Sequence, residues 1–122
     1  MPPKPAAGVV VLTPREKIRE DIEPLVTMYR NLGSDSAAAV VNRSISDLGM
    51  ELAGIADCMI LHDMAQLAQP LARVQGLAES LGFVTLAVVA ADLRFCLNRG
   101  DPTAIAAVWA RLCRVAEKAL AG

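Results

Sequence analysis

Few residues of this chain could carry out chemistry. There is one histidine, His62, and there are three cysteines, Cys58, Cys96 and Cys113. An exposed imidazole can act as a nucleophile, as a proton carrier or as a metal ligand. A zinc site needs several such ligands at short spacings, and this chain does not offer them. The cysteines lie inside helical patterns, and we expect them to be reduced, buried apolar side chains of a cytoplasmic protein.

Other chemical classes have little support in the sequence. Ser44, Ser46 and Ser80 have no histidine or lysine at a spacing that would place a base beside them. The formal net charge is −1 and like charges do not cluster, which argues against a nucleic-acid partner or an anionic membrane surface. The apolar run at residues 9–12 is too short for a signal peptide or a membrane span. We expect no cofactor and no metal.

The composition favours helices packed on helices. Of the 122 residues, 54% are hydrophobic but only 3% are aromatic, so the apolar weight falls on Ala, Leu, Val, Ile and Met. We predict a single all-α domain over residues 13–122. A disordered or extended tail at residues 1–12 precedes it, and residues 9–12 could form a short arm that packs on the bundle.

The first predicted helix begins at a strong start signal. Thr13 can cap it, Pro14 suits the first helical position, and Glu16 can reach back to the cap. We expect this helix to end at Gly33, with a kink or a break at Pro24. Its apolar face repeats at helical spacing and consists of Ile18, Ile22, Leu25, Tyr29 and Leu32.

The second predicted helix begins at residues 34–36 and ends near His62. Its apolar stripe alternates spacings of four and three and consists of Val41, Ile45, Leu48, Leu52, Ile55 and Met59. Gly49 and Gly54 weaken this helix locally and could allow another helix to approach closely. We expect Met59 and Met64, which flank the following bend, to fill the core.

The third predicted helix is capped by Asp63 and stopped by Gly82. Its core face consists of Leu67, Leu71, Val74, Ala78 and Leu81. Pro70 lacks a backbone donor, so we expect a bend just before Ala72.

Two further helices complete the pattern. The fourth spans residues 84–98 and ends at Gly100, and Asp101 with Pro102 begins the fifth. Their core positions are Leu86, Val89, Leu93 and Leu97, and Ile105, Val108, Leu112, Val115 and Ala119. We expect Trp109 to seal the interior or its edge. Short connections favour an antiparallel up-down four-helix bundle with an additional shorter N-terminal helix.

A strip of small side chains lies on the third helix, away from its core face. At 100° per residue this strip consists of Ala68, Ala72, Gln75, Gly76 and Glu79. Surface helices usually carry Lys and Glu on such a face, whereas this one is small and flat. A flat helix face lets another protein approach closely, and it can also pair with a second copy to form a homodimer.

The stretch DMAQLAQPLARVQGLAESLGF, followed by VTLAVVAADLRFCLNRGD, resembles a histidine-containing phosphotransfer (HPt) domain over residues 63–101. In that family an Asp begins the third helix, His-x-x-Lys-Gly follows, Leu-Gly closes the helix, and a Gly-Asp turn ends the next one. Counting from Asp63 places Ala72 at the phosphohistidine position, Gln75 at the lysine position and Gly76 at the glycine position.

The sequence departs from the family at the residues that carry the chemistry. Phosphoryl transfer needs an imidazole nucleophile and a nearby cation, and Ala72 and Gln75 supply neither. The Leu-Glu that is usual on the family's fourth helix reads Leu93-Arg94 here. The resemblance therefore implies a bacterial two-component protein that binds a receiver domain or a histidine kinase without being phosphorylated. It would act as a competitor, a scaffold or a regulator.

The resemblance implies a partner-binding surface on the third helix, with Arg73 and Arg94 as basic contacts to an acidic pocket. This surface consists of Ala68, Ala72, Arg73, Gln75, Gly76 and Glu79. Two alternatives remain. His62 could be a displaced phosphoacceptor, although it lies ten positions before Ala72, about 15 Å along a helix. The chain could also be an unrelated helical bundle built for dimerisation or for binding a partner helix.

Overall fold

The computed structural model describes residues 17–121, and all regular secondary structure within that range is helical. The α-helices are α1 (Glu23–Leu32), α2 (Ser34–Ile60), α3 (Ala68–Leu81), α4 (Val84–Arg99) and α5 (Pro102–Ala121). A single 3₁₀ turn, Met64–Gln66, precedes α3. The prediction of an all-α fold is confirmed.

The four long helices form the bundle. Helix α3 packs against α2 and α4, and α4 packs against α5, while α1 lies on α2 and α3. Only residues 82–83 and 100–101 connect the last three helices, and such short connections place neighbouring helices antiparallel. The predicted arrangement, a four-helix bundle with a shorter N-terminal helix, is confirmed. None of the helices within residues 17–121 is both long enough and apolar enough to cross a membrane.

Helix α3 is central to the core. All five residues predicted to form its core face are buried, and the side chains packed around them come from the other three long helices. The largest fully buried side chains are Leu48, Ile55, Leu67, Leu71, Leu86, Leu93, Leu112, Val74, Val89 and Val115. Met59, Met64, Val108 and Trp109 are partly buried against this core, as predicted. Because the core face of α3 is fixed by this packing, its opposite face must point outward.

The helix ends follow the predicted signals. Gly82 and Gly100 end α3 and α4 in left-handed conformations, with φ of 78° and 70°. The Asp101 carboxylate accepts hydrogen bonds from the backbone N–H groups of Thr103 at 3.0 Å and Ala104 at 3.3 Å, which caps α5. These ends set the helix register along the second half of the chain.

The prediction for the N-terminal helix is wrong in part. Its proposed start at Thr13, Pro14 and Glu16 lies outside the described residues, but residues 17–22 are not helical. Pro24 lies in the first turn of α1 and begins this helix instead of kinking it. The reason is that a proline lacks an N–H and its ring clashes one turn back, so a helix can start at proline more easily than it can pass through.

The extended segment before α1 is held by the start of α4. The Arg19 N–H donates to the Thr85 hydroxyl at 2.7 Å, and the Thr85 N–H donates to the Arg19 carbonyl at 3.2 Å. The Asp21 N–H donates to the Gly82 carbonyl at 2.8 Å. A Cβ at Gly82 would lie on the Asp21 carbonyl oxygen, so this close approach requires glycine. These bonds compete with helix formation for the same backbone groups.

The predicted bend at Pro70 is also wrong. Asp63 begins the 3₁₀ turn rather than α3, and its side chain makes no capping hydrogen bond. Helix α3 starts at Ala68, which places Pro70 in its first turn. The first-turn N–H groups of a helix have no internal acceptor, so the missing donor of proline costs nothing there.

Two packing predictions fail on α1 and α2. Ile22, Tyr29 and Leu32 of the expected α1 face are exposed, since α1 is short and contacts only one edge of the bundle. Ile45 of the expected α2 stripe is also exposed. In α2, a Cβ added at Gly49 or Gly54 would meet nothing within 4 Å. These two glycines therefore do not allow a close helix approach.

Candidate functional site

The strip predicted on α3 lies on the outer surface of the bundle. We call Ala68, Ala72, Gln75, Gly76 and Glu79 the α3 strip. Gln75 is half-buried and the other four residues are exposed. Ala72 and Gly76 stand one helical turn apart at the middle of this surface, and neither has a side chain beyond Cβ. The outer face of α3 is thus accessible to a partner where its side chains are smallest.

The fold itself does not require a glycine at position 76. A Cβ built there would meet no atom within 4 Å, so no neighbouring element needs the space. A glycine inside a helix destabilises it by about 0.5–1 kcal/mol relative to alanine. Gly76 therefore weakens α3 without improving the packing of the described residues.

One edge of the α3 strip is tied to α2. The Arg73 guanidinium donates a short hydrogen bond to the Glu51 carboxylate, and the two groups form an ion pair. This hydrogen bond raises the pKa of Arg73. The ion pair holds the long Arg73 side chain toward α2, away from Ala72.

The other edge of the α3 strip is tied to α4. Arg94 donates from Nη1 to Oε1 of Gln75 at 2.9 Å. The Gln75 amide nitrogen in turn lies 3.4 Å from Oε2 of Glu79, one turn further along α3. These bonds satisfy both ends of the Gln75 amide and draw the polar side chains along the helix edge. The Arg94 guanidinium of α4 consequently stands beside the strip.

Shallow grooves flank the α3 strip on both sides. The groove toward α2 is lined by Asp47, Met50, Glu51, Arg73 and Leu77. Met50 is 72% exposed there, so it offers an apolar contact beside the Arg73–Glu51 pair. The groove toward α4 is lined by Gln75 and Glu79 together with residues that include Val88, Ala91 and Asp92. A partner seated on Ala72 and Gly76 could reach into both grooves.

His62 lies apart from the α3 strip. It belongs to the connection between α2 and the 3₁₀ turn, is exposed, and has a left-handed backbone with φ of 56°. It lines a mainly apolar cavity at that end of the bundle together with Met59, Met64 and Leu97. The structure therefore places His62 with methionines and not with Ala72.

Metal ligands and thiols are the remaining groups to consider among the described residues. No three His, Cys, Asp or Glu side chains within residues 17–121 are close enough to bind a metal ion. Cys58, Cys96 and Cys113 are free thiols and half-buried, whereas the sequence predicted them to be buried. Burial, and to a smaller extent the charge of Glu117, raises the pKa of Cys113. A raised pKa leaves less of the reactive thiolate at neutral pH.

The sequence suggested that the neighbouring surface of α2 would take part in binding, but it did not identify the α2 residues involved. Glu51 and Met50 lie outside the apolar stripe of α2, and nothing in the sequence pairs them with Arg73 on another helix. A contact of this kind depends on the rotation of one helix relative to the other. The sequence analysis singled out Arg94 and Gln75, but it did not predict that their side chains are in contact.

Comparison with known proteins does not assign a function to this surface. No protein-family model, no curated protein and no solved structure matches the chain.

Proposed function

We propose that this chain is an HPt-like signalling protein that binds a receiver domain or a histidine kinase through the α3 strip and is not itself phosphorylated. It acts as a competitor, a scaffold or a regulator of phosphotransfer in the cytoplasm of a bacterium. The observation that carries the proposal is the hydrogen bond between Arg94 and Gln75.

That hydrogen bond joins two positions that depart from the family pattern. The resemblance places a lysine at Gln75 and a glutamate at Arg94, and opposite charges at these places would attract each other. Here the amide of Gln75 accepts from the guanidinium of Arg94 at 2.9 Å. This α3–α4 contact thus carries one positive charge, where the resemblance implies one charge of each sign. Paired changes at contacting positions favour a chain descended from the family over a chance likeness in one helix.

The shape of the α3 strip supports binding without chemistry. Ala72 and Gly76 leave a low ridge between two grooves, and the fold does not use the space above Gly76. A methyl group at position 72 has no lone pair to attack phosphorus, so the strip cannot form a phosphohistidine. Arg94 keeps one cation beside the strip, which an acidic partner surface can contact.

Binding and phosphoryl transfer are measured together in the decisive test. The full chain is titrated with each purified receiver domain and histidine kinase of its source cell, and phosphorylated receivers are then assayed for transfer of the label. We expect a complex with at least one of these proteins and no label on the chain. A chain that binds none of them is not a two-component protein.

The same assay separates the alternative in which His62 carries the phosphoryl group. If the chain becomes labelled, the variant His62→Ala is assayed beside it. If the wild type is labelled and this variant is not, His62 carries the phosphoryl group. The chain would then be an active phosphotransfer protein, which would overturn our proposal. Because the His62 backbone is left-handed, with φ of 56°, His62→Asn is assayed as a second variant, since asparagine tolerates this conformation better than alanine.

A further inference from the structure

An apolar groove lies between α2 and α5, on a different side of the bundle from the α3 strip. Its volume is about 490 Å³. Of the described residues that line it, Glu117 alone is charged, and the others are Leu52, Ala53, Ala56, Trp109, Cys113, Ala116 and Leu120. Successive helices pack directly from α2 to α5, whereas this groove separates the first of these helices from the last. Apolar surface of this kind is usually covered in a soluble protein.

The described chain begins beside this groove. Ile18 packs against the core and lines a neighbouring cavity with Ile45, Lys118 and Leu120. Leu120 lines both this cavity and the α2–α5 groove. Because Thr85 and Gly82 hold Arg19 and Asp21 in place, Ile18 stays in the cavity that Leu120 also lines.

The first 16 residues of the chain lie outside the described range, and they contain one apolar run, VVVL at residues 9–12. Leu12 is six residues before Ile18, so it can lie up to about 20 Å away. The groove runs along α5 from Leu120 to Trp109, eleven residues, or about 16 Å of helix. The run can therefore reach the whole groove.

We propose that residues 9–12 of the same chain occupy the α2–α5 groove. Branched apolar side chains match an apolar groove whose lining includes three alanines, Ala53, Ala56 and Ala116. The segment is tethered next to the groove, which gives it an effective concentration in the millimolar range, so no second molecule is needed. This surface and its occupant are independent of the proposed binding of a receiver at α3.

Cys113 reports on the groove because it is one of the lining residues. We would measure alkylation of each thiol at one fixed pH by mass spectrometry in the full chain. The test variant carries Val10→Asp and Val11→Asp, and the control carries Ala6→Asp and Ala7→Asp, which add the same charge before the run. Cys58 and Cys96 serve as internal references, since neither lines the groove.

We expect Cys113 to react about tenfold faster in the test variant than in the wild type or the control. Cys58 and Cys96 should react equally in all three chains, and a peptide of residues 5–14 added in excess should restore protection. Equal rates at Cys113 in all chains overturn the proposal. Protection that increases with protein concentration also overturns it, because a second copy would then occupy the groove.

Discussion

Gln75 on α3 and Arg94 on α4 are joined by a hydrogen bond of 2.9 Å across the edge of the α3 strip. These are two of the positions at which the chain departs from the HPt pattern that it resembles. Because the two side chains are in contact, the effect on stability of a substitution at one position depends on the residue at the other. Their contact also sets the position of the guanidinium that a partner would meet.

The energetic coupling of this pair can be measured with a double-mutant cycle. Gln75→Lys alone places a second cation beside Arg94, and Arg94→Glu alone removes the donor of the hydrogen bond to the Gln75 amide oxygen, so each single change should destabilise the chain. We expect each single variant to lose up to about 0.5 kcal/mol, and the double variant to recover most of it because its two charges attract. Urea unfolding of the four chains gives the values. Strictly additive changes would show that the two side chains do not interact in solution.

Replacing Gly76 with alanine should stabilise the protein. The added Cβ meets no atom within 4 Å, and alanine is the better helix former by about 0.5–1 kcal/mol. Thermal and urea unfolding measure the gain. Gly49→Ala is the matched control, because its Cβ also meets nothing and it lies on α2, outside the α3 strip.

We expect both alanine variants to be more stable, but only Gly76→Ala to weaken partner binding. A loss of stability in Gly76→Ala would mean that the fold uses the space above this residue. That result would remove the argument that the space serves a partner.

Thr85 anchors the segment before α1, and its hydroxyl accepts from the Arg19 N–H at 2.7 Å. Thr85→Val keeps the shape of the side chain but leaves this N–H without its acceptor, so we expect a loss of about 1–2 kcal/mol. Hydrogen exchange at the Arg19 amide should accelerate in parallel. Thr85→Ser keeps the hydroxyl and should keep the slow exchange. Unchanged exchange in the valine variant would show that the segment is held by other contacts.

The pH dependence of stability should carry a contribution from Cys113. Burial and the charge of Glu117 raise its pKa in the folded chain. Above the ordinary pKa of a thiol, the unfolded chain loses this proton while the folded chain retains it, so the free energy of unfolding falls as the pH rises. Urea unfolding over a pH series should show this decline in the wild type and a smaller one in Cys113→Ser. Identical declines would contradict the assigned cause.

The sequence predicted those elements that depend on local signals. The core face of α3 was correct at all five positions, and Gly82, Gly100 and Asp101 marked helix ends correctly, because periodicity and capping act over a few residues. The exposure of Ala72 follows from the same core face.

Tertiary contacts decided what the sequence could not show. Residues 17–22 have a helical pattern, but their backbone groups pair with Gly82 and Thr85, which are more than sixty residues away. Pro70 was read as a bend because the start of α3 was placed too early. The Arg94–Gln75 and Arg73–Glu51 contacts depend on how each helix is rotated about its axis relative to its neighbour. A single sequence carries little information about that rotation.

The most direct test of the central claim is the effect of a bulky side chain at position 72 on partner binding. Ala72→Trp places a bulky side chain in the middle of the α3 strip, where it would block close approach of a partner. Ala107→Trp places the same side chain at an exposed position of α5, away from the strip. Against a receiver domain or kinase that binds the wild type, we predict that Ala72→Trp raises the dissociation constant at least about tenfold and Ala107→Trp leaves it unchanged. Equal dissociation constants for the two variants would contradict the claim that the α3 strip is the docking surface.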